Sequence, residues 1–153
     1  MNPILVLTIL ALDQLTKFLA GKALALNQSV PVINGIFHIT LIHNRGAAFG
    51  ILKNQTTLFI FTSLLAIVLI YANIKSHKNR SSPIYGLSLS LILSGAVGNL
   101  IDRILYGYVV DFLDFRIWPV FNVSDTAITI GAILLGYAIL KSKDGSNYAS
   151  DNL

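Results

Sequence analysis

Cysteine is absent from this 153-residue chain, which excludes thiol catalysis, structural disulfides and thiolate metal sites. Glutamate is absent too, and the seven acidic residues are all aspartates. Glutamate is common on solvated helix faces, so its absence means that little of the chain faces water and that each aspartate needs its own explanation. Charge of either sign is scarce, at 12% of residues against roughly 25% in soluble domains, while 54% are apolar. A soluble fold of this length cannot hide so much apolar surface, whereas a bilayer can. The formal net charge is +4, but Lys75, Lys78 and Arg80 crowd one short segment and the other basic residues are scattered, so no nucleic-acid face forms. There is no Gly-rich phosphate loop and no repeat at a period of roughly 20 to 50 residues. His38, His43 and His77 lack a metal-ligand spacing with carboxylates, so neither a metal nor a cofactor is expected.

A bilayer core about 30 Å thick is crossed by roughly 20 mainly apolar helical residues. Four segments approach that length, at about 3–20, 57–74, 84–105 and 123–140. The length suits one domain, and the expected fold is an all-α membrane protein of four transmembrane helices over 1–141, with a polar cytoplasmic tail at 142–153. The apolar start lacks a basic n-region, and Asp13 and Lys17 stand where a cleavage site would follow, which makes it a retained first helix rather than a signal peptide. In the long first connection the alternation Phe37-His38-Ile39-Thr40-Leu41, after the turn signal Asn34-Gly35, suits short strands. A small β-like cradle is therefore expected between helices 1 and 2, while the third connection reads as a short loop carrying two aspartates. Lys and Arg divide evenly by count between the two sides of the membrane. Their density at Lys75, Lys78 and Arg80, and again at Lys141 and Lys143, puts both termini and the middle loop in the cytoplasm.

Ionisable side chains inside a span cost a few kcal/mol on insertion scales and are functional candidates by default. Asp13 and Lys17 share one face of the first helix at a spacing of four, either as a self-neutralising pair or as support for a polar site. In the third span Ser94-Gly95-Ala96-Val97-Gly98 lets helix backbones approach closely, but packing does not explain Asn99, Asp102 and Arg103 after it. Asp102 and Arg103, as neighbours on a helix, point apart, so each needs another partner. Asp111 and Asp125 are both flanked by apolar residues. Asp125 alone reads as an acid in the first turn of the fourth helix, which Asp111 cannot be. Asp114 competes with Asp111 as its partner, and Asp111 is preferred because its apolar setting raises a carboxyl pKa by desolvation.

Two close carboxylates share a proton. The ionised member takes a proton from water while the neutral member polarises a scissile carbonyl, with Asn44, Asn99 or Asn122 as hydrogen-bond donors. A Ser–Lys dyad from Ser94 or Ser124 with Lys17 has nothing in the sequence to bring it together. An ion or proton transporter would be expected to show internal symmetry, which is missing, and its polar residues would form a through-path rather than cluster toward one face. A purely structural subunit leaves the aspartates unexplained.

Five segments in order resemble the lipoprotein signal peptidases, or signal peptidase II. They are Asp13-Gln14-Leu15-Thr16-Lys17, Asn44-Arg45-Gly46-Ala47-Ala48-Phe49-Gly50, Gly95-Ala96-Val97-Gly98-Asn99-Leu100-Ile101-Asp102-Arg103, Val109-Val110-Asp111-Phe112 and Phe121-Asn122-Val123-Ser124-Asp125. The resemblance implies an aspartic endopeptidase of the bacterial inner membrane, with both termini cytoplasmic and the active site near the outer face. The implied substrate is a diacylglyceryl-modified prolipoprotein cut just before its lipidated cysteine. Asp111 and Asp125 match the family's catalytic pair; Asp13, Lys17, Asn44, Gly46, Asn99, Asp102, Arg103 and Asn122 match its other motif residues. A globomycin-type inhibitor and membrane lipids are implied as partners, and a monomer is expected. Ser94 stands where many members have glycine, Ser124 where alanine is frequent, and the loop between the two aspartates is compact.

Overall fold

The computed structural model describes the backbone of residues 1–46, 55–76 and 82–150, and the side chains of all of these but 73–76 and 142–150. The run from Ala47 to Gly50, His77, Lys78 and Arg80, and the side chains of Lys75 and Lys143, lie outside the described residues. The order of elements is α1 (Pro3–Ala23), β1 (Ser29–Ile33), β2 (Phe37–Asn44), α2 (Thr56–Ser76), α3 (Pro83–Tyr106), β3 (Val109–Asp114) and α4 (Val123–Ser150).

Local chemistry sets the helix ends. Asn2 caps α1, its side-chain oxygen accepting from the N–H groups of Ile4 and Leu5 at 3.0 and 3.3 Å, and Pro3 occupies a first-turn position that needs no N–H donor. Pro83 opens α3 in the same way, and Gly107 closes it at φ 75°, its N–H bonding Arg103 O; that left-handed cap suits glycine. At the start of α4 the Asp125 N–H donates to Asn122 Oδ1 at 2.8 Å and the Asn122 N–H to Asp125 Oδ2 at 3.3 Å, a reciprocal capping box. The backbone of α4 continues helical beyond Lys141 to Ser150.

Burial is inverted relative to a water-soluble bundle. Ile4, Leu7, Phe18 and Leu19 of α1 and Ile133 and Leu140 of α4 are exposed, whereas Asp13, Ser88, Ser90, Ser94, Asn122 and Ser124 are fully buried. A chain that turns its apolar side chains outward needs an apolar solvent, and α1, α3 and the Val123–Lys141 part of α4 are long and apolar enough to cross a membrane. The described apolar part of α2, Thr56–Ala72, is shorter. The buried serines of α3 bond to their own helix, Ser88 Oγ to Tyr85 O, Ser90 Oγ to Gly86 O and Ser94 Oγ to Leu91 O at 2.8, 2.8 and 2.9 Å, so they cost little in hydrocarbon.

The small residues of α3 let α4 lie against it. A Cβ at Gly95 would collide with Ser124 O and Ile128, and one at Gly98 with Ser124 Oγ and Asp13 Oδ2. Gly131 returns the fit from α4 against Ile92 and Ser88 O.

The cradle differs from the expectation in one respect. It is a three-stranded antiparallel sheet in the order β1-β2-β3, and its third strand comes from between α3 and α4 rather than from the first connection. The two-aspartate loop is this strand, with Ile42 opposite Asp111 and Asn44 opposite Val109. Pairing with β2 satisfies a backbone that would otherwise be unpaired beside the membrane. Leu41 and Phe112 pack with Ala20 of α1, seating the sheet on the bundle.

Gly98→Ala is expected to destabilise the protein by about 1–3 kcal/mol through overpacking. Gly21→Ala, with nothing in reach of its Cβ, is expected to be neutral or slightly stabilising. Thermal midpoints in detergent compare the two, and equal midpoints would remove the close helix approach at Gly98.

Candidate active site

The polar cluster is built around the ammonium of Lys17, which is almost completely buried. It pairs with Asp13 Oδ2 at 2.8 Å and Asp102 Oδ2 at 2.9 Å, and donates to Asn99 Oδ1 at 3.0 Å. The Asp13–Lys17 pair therefore neutralises itself within α1 and also reaches α3. Gln14 Nε2 joins the same carboxylates, at 3.2 Å from Asp13 Oδ2 and 3.0 Å from Asp102 Oδ1. The remaining carboxylate capacity holds backbone. Asp13 Oδ1 accepts the Ser124 N–H at 2.8 Å, fixing the start of α4, and Asp102 Oδ2 accepts the Val110 N–H at 3.0 Å, fixing β3.

Asparagines carry this order to the two candidate acids. Asn99 Nδ2 donates to Asp125 Oδ1 at 2.7 Å. Asn122 Nδ2 donates to Asp111 Oδ1 at 2.7 Å, and Asn44 Nδ2 to Asp111 Oδ2 at 2.8 Å. Asn44 is held in turn by the Gly46 N–H at 2.9 Å. Asp111 and Asp125 line one cavity of about 270 Å³, with Asn44, Gly46, Arg103 and Trp118 among its other walls. Arg103 is not paired with Asp102. Its guanidinium lies over the Phe59 ring at 5.0 Å and reaches Asn99 O at 3.5 Å.

Asp111 and its rival Asp114 are both buried on β3, but their partners separate them. Burial pushes Asp111 up to about 7, helped by the nearby charge of Asp125; the Asn44 and Asn122 hydrogen bonds and the charge of Lys17 offset part of this. For Asp114 burial pushes upward too, but the Thr40 hydroxyl and the Arg116 N–H and guanidinium outweigh it and hold the carboxyl below its usual range. Asp114 thus serves the sheet, accepting from Thr40 at 2.7 Å and pairing with Arg116 at 3.0 Å.

All ten residues singled out from the sequence fall in this cluster or on the cavity wall. Gln14 was not assigned a role, although a polar side chain one residue from Asp13 inside a span was a usable signal. The two backbone donors, of Val110 and Ser124, have no sequence signal, because every residue but proline carries the same N–H. Trp118 on the cavity wall was also missed.

The family model described as Signal peptidase (SPase) II matches residues 5–141. The chain is 48% identical to a lipoprotein signal peptidase of Moorella thermoacetica, covering 90% of this chain and 91% of that one. It is 51% identical to one of Caldanaerobacter subterraneus, covering 90% and 94%. Among solved structures it is similar to a bacterial membrane enzyme with a TM-score of 0.87 and 32% identity, over 93% of this chain and 88% of that one.

Removing the Lys17 ammonium leaves two buried carboxylates uncompensated. Lys17→Met is expected to cost about 3–5 kcal/mol, read as a lower thermal midpoint and reduced yield of inserted protein. A midpoint within error of the wild type would show that the cluster does not depend on this charge.

Proposed function

The chain belongs to the signal peptidase II family, and we propose that Asp111 and Asp125 are its catalytic pair. The observation that carries this reading is that the two carboxylates open on one cavity and that Asn122 bonds to both residues, to the Asp111 carboxylate and to the Asp125 backbone N–H. The substrate is a prolipoprotein carrying a diacylglyceryl group, and the bond cut lies just before the lipidated cysteine. One carboxylate, ionised, takes a proton from the attacking water. The other, protonated, donates to the oxygen of the scissile carbonyl as the tetrahedral diol forms. The proton taken from water then passes to the leaving amine of the cysteine as the C–N bond breaks, while a hydroxyl of the diol returns its proton to the carboxylate that had donated one, so the pair ends with one proton between them. Asp111 suits the protonated role, because burial and the charge of Asp125 disfavour its ionisation. Asp125 suits the ionised one, lying in the first turn of α4 where the helix N-terminus favours negative charge.

A Ser–Lys mechanism finds less support, since the Lys17 ammonium is held by three acceptors and Ser94 Oγ bonds to its own helix at Leu91 O. In the membrane arrangement we propose, α2 is the fourth span and the protein works as a monomer. Both termini face the cytoplasm, and the sheet and cavity lie at the outer face among membrane lipids. A globomycin-type inhibitor binds at the carboxylate pair.

Asp111→Asn and Asp125→Asn are each expected to lower cleavage of a synthetic lipidated precursor on the order of a thousandfold or more, with the protein still folded and inserted. Mass spectrometry of the products gives the cut site, and globomycin blocks it in the wild type. Normal turnover by either variant would falsify the pair. A pH test follows from Asp111. Its folded-state value, about 7, lies above the ordinary carboxylate value of about 4, so the folded state keeps the proton longer than the unfolded chain. Its contribution to stability is full below about pH 4 and lost as pH rises to about 7. Turnover is expected to fall as pH rises through about 7, and the thermal midpoint of Asp111→Asn to lose the part of the slope that the wild type shows between about pH 4 and 7. Unchanged slopes would mean that Asp111 is ionised throughout.

A further inference from the structure

Between β3 and α4 the chain makes a turn whose tip is apolar and whose hold is polar. Ile117 is 92% exposed and Trp118 60%. Arg116 precedes them at φ 65°, a left-handed conformation unfavourable for a residue other than glycine. Asp114 latches it there, accepting the Arg116 N–H at 2.8 Å and its guanidinium at 3.0 Å, while Thr40 of β2 fixes the Asp114 carboxylate from behind at 2.7 Å. Behind the tip, the Phe115 ring packs on Phe37 and Phe121 at 4.9 and 5.9 Å. The shape of the turn is thus fixed by an ion pair and an aromatic stack, neither of which uses Ile117.

The same turn enters the cavity of the carboxylate pair, where Trp118 and Pro119 form part of the wall. The cavity lining is mixed in chemistry. Asn44, Arg103 and Thr129 supply polar groups, while Val109, Ile128 and the run 118–121 supply apolar ones, with Trp118 continuing onto the exposed tip. Resting on the reading of the pair as a peptidase of lipidated precursors, the scissile carbonyl directly precedes the lipidated cysteine. The thioether therefore branches from a residue held at the carboxylates, and its acyl chains must leave the cavity across one of its walls. Hydrocarbon gains nothing against Asn44 and Arg103 and is stabilised where it removes apolar surface from water.

We propose that Trp118 and Ile117 form the acyl-chain contact of the substrate, a specificity site in which one chain of the diacylglyceryl group lies over the indole and onto the exposed isoleucine. This ties lipid recognition to the wall next to the scissile bond.

The test compares two synthetic precursors, one with hexadecanoyl and one with hexanoyl chains, cleaved by the purified full-length protein in the same detergent. The wild type is expected to favour the long-chain precursor in kcat/KM. Ile117→Asn and Trp118→Ser are expected to lower that long-over-short ratio on the order of tenfold, mainly through KM for the long-chain precursor. Ile117→Leu is expected to keep the ratio, as is Val32→Asn, an exposed position on β1 away from the cavity. Because Ile117 is exposed, its variants separate recognition from folding, and matched thermal midpoints check this. A ratio unchanged in Ile117→Asn and Trp118→Ser overturns the contact. An equal fall on both precursors also overturns it, since the tip would then only seat the enzyme in lipid. In either case, cleavage before the cysteine by the wild type leaves the peptidase reading standing, whereas a wild type that cuts neither precursor overturns both.

Discussion

One buried ammonium decides how the polar interior is arranged. Lys17 can only donate, so the atom of Asn99 that faces it must be the amide oxygen, at 3.0 Å. That fixes the flip of the amide and leaves Asn99 Nδ2 to donate to Asp125. The same logic recurs twice around the cavity. The oxygen of Asn122 is taken by the Asp125 N–H and that of Asn44 by the Gly46 N–H, so both amides present their NH₂ to Asp111. Three asparagines are thereby oriented by a charge or a backbone group behind them, and each points a donor at a carboxylate. The donors are fixed by the fold itself, which is the electrostatic preorganisation that the proposed catalytic pair requires.

The cost of that arrangement explains the helix packing around it. Two buried carboxylates and a buried ammonium are tolerable only if nearly every lone pair and proton is matched, and the matching groups come from α1, α3, β3 and the start of α4. They can meet only if the helices lie close together. Gly95 and Gly98 provide the approach on the turn of α3 just before Asn99 and Asp102, with Ser124 and Asp13 filling the space where side chains would stand. Within a membrane there is no hydrophobic force to press helices together, so small residues and polar contacts supply the association. The close packing and the polar cluster are one device, since widening either would open the other.

How much of this was legible in the sequence follows from the range of each signal. Helix lengths, the cost of a charge in a span and the small-residue run of α3 are local, and the first three helices match their expected bounds to within a few residues, whereas α4 runs on to Ser150, past the apolar stretch that marked its end. The segment Val109–Asp114 is only a strand because β2 lies beside it, and its six residues look like a loop when read alone. Asp111 and Asp114 could be ranked by their apolar neighbours but not separated, because burial is nearly the same for both. What distinguishes them is Arg116 and Thr40 on one side and Asn44 and Asn122 on the other, contacts of which Thr40 and Asn44 come from another strand. The ordered motifs named residues that the fold brings together without giving the wiring, and Gln14 stood inside one of them with its role unread.

Asp125 shows how a plain structural reading and a functional one can describe the same atoms. It is an acid in the first turn of a helix, bonded back to the N–H of the capping asparagine, as ordinary helix chemistry predicts. The capping residue, Asn122, also reaches across to Asp111 and to Asn99. The start of α4 is therefore the clamp that sets the two carboxylates relative to each other, and the cap cannot move without moving the pair. Its other anchor is the Ser124 N–H on Asp13, which leads back to Lys17. A change in the buried ion pair is thus transmitted to the carboxylates through a helix terminus, by hydrogen bonds of 2.7 to 3.1 Å at each step, with no flexible side chain between them.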